Sequence, residues 1–159
     1  MNTAAPKWVV LTWRLPSGSS TPRVTTWRTL RRMGAVLLTP GAVVVPYSEE
    51  LLEQCDWLGQ RIVEDGGEAW VLPVTELSER QETTIRERER VSREREYQAL
   101  RHEAEVAARP KRSPGGPSRR KLVALERGYR SVVARDHFNA IGRVPARRAI
   151  EIARRSRGA

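Results

Sequence analysis

The chain has 159 residues, 29 Lys and Arg against 19 Asp and Glu, and a net charge of +10. That length suits one domain with a core plus appendages, and a single cysteine excludes an internal disulfide. No apolar run approaches the ~20 residues of a membrane helix, and the opening MNTAAPK has no apolar signal segment. A cytoplasmic protein with no membrane partner is therefore expected.

Trp8 to Trp13 is a short run of β-branched and aromatic residues, which predicts a strand ended by Pro16 and the following Ser-Gly-Ser-Ser. Thr21 is placed to cap a helix whose first turn holds Pro22. Val24, Trp27, Leu30 and Met33 recur on it at helical spacing, and Gly34 ends it. Ala35 to Leu38 and Ala42 to Val45 read as strands joined through Thr39-Pro40-Gly41. Ser48 starts a second helix with Glu49 and Glu50 in its first turn and an apolar stripe of Leu51, Leu52, Cys55, Leu58 and Ile62. Glu68 to Pro73 is a fourth strand. The order βαββαβ predicts an α+β, ferredoxin-like domain over residues 7–75, with Trp27, Leu30, Leu51 and Leu58 in its core.

Residues 76–108 predict one long charged helix whose apolar positions, Leu77, Ile85, Val91, Tyr97, Leu100 and Val106, are sparse. They show no sustained heptad, and dense Glu/Arg pairing supports the helix in water. A second copy of the chain, paired through this helix, is the sharper alternative. Residues 109–118, with three prolines and two glycines, predict a flexible linker. Residues 119–157 predict basic helices packing back on the domain. The first has Leu122, Leu125, Tyr129, Val132 and Val133 on its buried face. A break follows around His137 to Gly142, and Pro145 opens the second, with Ala149, Ile150 and Ala153 on one side.

The charge is unevenly distributed. Residues 1–75 are neutral overall, residues 76–108 carry −2, and residues 109–159 carry +12 from fifteen basic and three acidic side chains. Such a patch is the footprint of a polyanion binder, with a solvated Arg-rich tail as the bland alternative. Arg119, Arg120, Lys121, Arg127, Arg130, Arg147, Arg148, Arg154 and Arg155 are the candidate phosphate contacts, and DNA is the expected partner. On the first helix, Arg23, Arg28, Arg31 and Arg32 are candidates for phosphate or another tetrahedral oxyanion, against a solvated basic face.

Little else points to chemistry. Cys55, His102 and His137 lack the spacing of a metal site, and Cys55 sits on an apolar helix face. No Gly-rich phosphate loop occurs, because Gly115-Gly116 lies in the linker. No catalytic residue, metal or cofactor is assigned.

Trp8, Leu11, Leu15, Pro16, Arg23, Val24, Trp27, Arg28, Leu30, Arg31, Gly34, Ala35, Val45 and Pro46 form an ordered pattern. Trp57-Leu58, Gly66-Gly67-Glu68-Ala69, Glu96-Tyr97, Arg135-Asp136, Phe138 and Gly142-Arg143 extend it. This pattern resembles the N-terminal domain of the chromate resistance protein ChrB, up to about residue 150. Full-length members carry a further C-terminal domain that the pattern does not reach. The resemblance implies a transcriptional regulator of chromate resistance, with chromate or another oxyanion as a candidate ligand. The first strand and its Pro-ended exit are also similar to the small CRISPR-associated nucleases, which place a metal-binding aspartate at the end of that strand. Arg14 stands there instead, and a cation cannot hold Mg²⁺, so nuclease activity is not expected. A related domain serves repressors of the phenylacetate-operon type as a regulatory and dimerising unit. The competing reading is an accessory protein–protein module that does not touch DNA.

Overall fold

The computed structural model describes residues 4–18, 20–109 and 116–157. Most of the expected linker, residues 110–115, lies outside them. The chain forms two compact units, one up to Arg88 and one from Glu89 onward.

The first unit is a four-stranded antiparallel sheet of β1 (Trp8–Arg14), β2 (Val36–Thr39), β3 (Ala42–Pro46) and β4 (Glu68–Val74). The strand order is β2-β3-β1-β4, and with α1 (Ser20–Met33) and α2 (Glu49–Glu64) it gives the expected ferredoxin-like arrangement. Register decides which side chains meet. Val9 lies opposite Val45, and Leu11 lies between Val43 and Val71. These residues line one face, where Leu30 and Met33 of α1 and Cys55, Leu58 and Ile62 of α2 close the core. Burial pushes the Cys55 thiol up to about 11, with Asp56 adding to it, so this cysteine is a packed apolar group. Ser48 caps α2 by accepting the Leu51 N–H at 3.1 Å.

The opposite face is also covered at one end. Trp8, Val36 and Val44 are buried there. The Trp8 indole donates to Glu82 at 3.2 Å, and the Arg86 guanidinium lies 5.8 Å from its ring centroid. Arg88 donates to the Leu37 carbonyl at 2.9 Å. Glu82, Arg86 and Arg88 come from the first turns of α3 (Glu79–Ala108).

Two expectations for α1 are corrected. The helix begins at Ser20, so Thr21 is inside it rather than its cap. Trp27 is not core: it is 45% exposed, as is Val24, while Thr26 is buried with Leu30 and Met33. A run at steps of three falls about 60° short of a full turn each time, so 24, 27, 30 and 33 spread across half the helix. Thr26, four residues before Leu30 and seven before Met33, holds the inward line.

The second unit packs the rest of α3 with α4 (Arg119–Ala134) and α5 (Arg143–Arg155). Ala104, Ala107, Leu122, Leu125, Ala149, Ile150 and Ala153 form one cluster. Tyr97, Val132, Ala140 and Ala146 form another. Val91 and Val106, read as apolar positions of the long helix, are exposed instead. Small alanines take the inward places because they let helices approach closely.

Candidate functional site

The connection between α4 and α5 is tied to α3 by buried polar groups. Tyr97, fully buried, donates its hydroxyl to Asp136 Oδ2 at 2.9 Å. Asp136 also accepts the Ala140 N–H at 3.0 Å, which closes the turn. Burial and this bond raise the Tyr97 hydroxyl pKa, so it stays a proton donor. Arg135 donates from two nitrogens to Glu96 Oε2. Gly142 donates its N–H to Glu94 Oε2 at 2.7 Å, and a Cβ there would lie 2.8 Å from that oxygen and 2.9 Å from Tyr97 Cβ. Only glycine allows so close an approach.

Further along α3, Glu89 Oε1 accepts the His137 N–H at 3.3 Å. Arg93 stands between Glu89 and Glu96, at 3.9 and 3.4 Å. Glu89 Oε2 and Arg93 Nε and Nη1 are buried without a hydrogen-bond partner. Burial pushes the Glu89 carboxyl up to about 7, against the opposing pull of the His137 N–H and Arg93. Glu89, Arg93 and Glu94 were hidden in the sequence by a helix full of similar charges. Glu96-Tyr97, Arg135-Asp136 and Gly142-Arg143 stood out in the sequence pattern, but only the fold shows that they meet.

This clamp fixes how α4 and α5 present their cations. Ser118 caps α4 by accepting the Lys121 N–H at 3.2 Å. Glu126 is engaged by α5: one oxygen accepts from Arg147 at 3.1 Å and the other from Arg154. Arg147 also pairs with Glu151 at 3.0 Å, and Lys121 pairs with Glu103 at 2.7 Å. Lys121, Arg147 and Arg154 are thus engaged within the unit. Arg130, one turn beyond Glu126, makes no ion pair with it. Arg119, Arg120, Arg127 and Arg130 are exposed, with no ion pair among the described residues. Arg119, Val123, Arg127 and Arg130 follow at steps of four, four and three, opposite the buried line of Leu122, Leu125 and Val132. No carboxylate interrupts this stripe. On α5, Arg148 and Arg155 are exposed on another side, and Arg148 borders a groove of about 390 Å³ with Arg101, Glu105, Val144 and Ile152.

The other predicted cations lie in the first unit. Arg23, Arg28, Arg31 and Arg32 are exposed on α1, where Arg32 donates to Thr29 at 3.3 Å. Arg14 ends β1 and donates to both oxygens of Glu68 at 3.2 Å. Among the described residues no group of three His, Cys, Asp or Glu could hold a metal ion. None of their helices is long and apolar enough to cross a membrane.

These features define an α+β protein with a ferredoxin-like sheet unit and a helical unit that displays exposed arginines. Residues 23–107 match the family described as Protein ChrB, N-terminal, and the chain belongs to that family. It is 30% identical over 79 residues to Protein ChrB of Cupriavidus metallidurans. The matched stretch is 50% of this chain and 24% of that relative's length. No solved structure matches the chain.

Proposed function

We propose that this chromate-resistance family member acts as a non-catalytic, DNA-associated regulator of a chromate resistance operon. The observation that carries this reading is the row of exposed arginines on α4, which make no ion pair among the described residues, held by the clamp on α3. Phosphate contacts of this kind supply affinity and release counterions without reading sequence. The row from Arg119 to Arg130 spans roughly 16 Å at 1.5 Å per residue. That is enough to reach phosphates on both sides of a B-DNA major groove, about 12 Å wide.

An electrophoretic shift against the chain's own upstream DNA tests the reading. With four contacts, log K should fall with log salt at a slope near −4, from about −0.9 per contact. Changing Arg119, Arg120, Arg127 and Arg130 to Gln should remove most of that slope. Changing Arg147 and Arg154 to Gln should leave it, since those side chains already serve Glu126. Absence of any shift would favour the accessory protein–protein role.

A further inference from the structure

We infer that the outer side of α1 and α2 is a contact surface for a second copy of this chain. The two helices pack on the same face of the sheet, through Leu30 and Met33 on one and Cys55, Leu58 and Ile62 on the other. Their outer sides therefore point the same way. Their charges are opposite. The α1 helix has Arg23, Arg28, Arg31 and Arg32 and no acidic residue. The α2 helix has Glu49, Glu50, Glu53, Asp56 and Glu64, and its one cation, Arg61, pairs with Asp65. Arg23, Arg28, Arg31, Arg32, Glu49, Glu53, Asp56 and Glu64 are all exposed, with no ion pair among the described residues.

Each helix also carries a large apolar group among these charges. Trp27 is half-exposed on α1, and Trp57 is 67% exposed on α2. Tryptophan and arginine are the residues enriched where proteins meet. One copy cannot bring the two charge sets face to face, because the helices lie side by side. A second copy turned about a twofold axis can. It sets α1 against the partner's α2 and α2 against the partner's α1, an isologous contact in which both helix pairs are complementary. The tryptophans supply buried area, and the charges set register and steer encounter. A polyanion or a free oxyanion fits this face less well, because the arginines stand beside five carboxylates.

Sedimentation velocity on the full chain tests the contact. A monomer–dimer equilibrium is expected, weakened by salt. Trp57→Ala should weaken it at least about tenfold, the scale of a truncated interface tryptophan. The decisive arm reverses charge. Arg28→Glu, Arg31→Glu and Arg32→Glu together leave a copy with two acidic helices. Glu53→Lys, Asp56→Lys and Glu64→Lys together leave one with two basic helices. Each variant alone should be monomeric with unchanged circular dichroism, and an equimolar mixture should recover a heterodimer. A wild-type chain that stays monomeric at every concentration would overturn the inference. So would a dimer that survives in either variant alone, or a folded pair of variants that fails to combine.

Discussion

Tyr97 and Asp136, 39 residues apart, meet in a buried 2.9 Å hydrogen bond that holds the α4–α5 connection on α3. Asp136 is 9% exposed and Tyr97 is fully buried, so neither has water as a substitute partner. Tyr97→Phe removes the donor and keeps the ring. It should cost about 1.5–3 kcal/mol, the range for a hydrogen bond to a charged group. An unchanged urea midpoint for the helical unit would show that the bond contributes nothing.

Gly142 makes a second hold on the same helix. Gly142→Ala places a methyl group against the Glu94 carboxylate and Tyr97 Cβ, so either Glu94 or the turn must shift. A loss of about 1–3 kcal/mol is expected, as for other overpacked sites. Thermal unfolding of the variant checks it, and a stability equal to wild type would mean that the turn adapts freely.

Glu89 predicts a pH dependence with a definite sign. Its folded pKa, about 7, lies above the ordinary 4.5. Between those values the folded chain holds a proton that the unfolded chain has lost. Stability therefore falls as pH rises through this window and levels off above it. Glu89→Gln keeps the acceptor for the His137 N–H and removes the charge. It should flatten the dependence and be more stable than wild type at about pH 8, while differing little at about pH 4. Urea midpoints at both values decide; an advantage equal at the two would exclude Glu89 as the source.

Two substitutions on α1 separate surface from core. Leu30→Ala, at 1% exposure, should cost about 2–5 kcal/mol. Trp27→Ala should cost about 1 kcal/mol or less in the monomer, since nearly half of the side chain is already in water. Chemical unfolding of dilute protein compares them. If Trp27→Ala were the more damaging, Trp27 would be a packing residue after all.

Local chemistry was enough for the elements and their order. The β-branched and aromatic run of β1, the Ser48 cap and the Leu51 to Ile62 stripe each depend on near neighbours, and together they define a ferredoxin-like α+β unit. The face of α1 was misread because its apolar residues recur at steps of three, which drift around a helix. Only packing against the sheet selected Thr26 and left Trp27 outside. The inward line of α3 was equally hidden, because Ala104 and Ala107 look neutral until another helix lies close by. The nine C-terminal cations look alike in sequence. Which of them stay free depends on Glu126 and Glu103, whose partners sit 21, 28 and 18 residues away. Ion pairing across such separations is decided by how helices pack, and so the division between engaged and available arginines belongs to the tertiary structure alone.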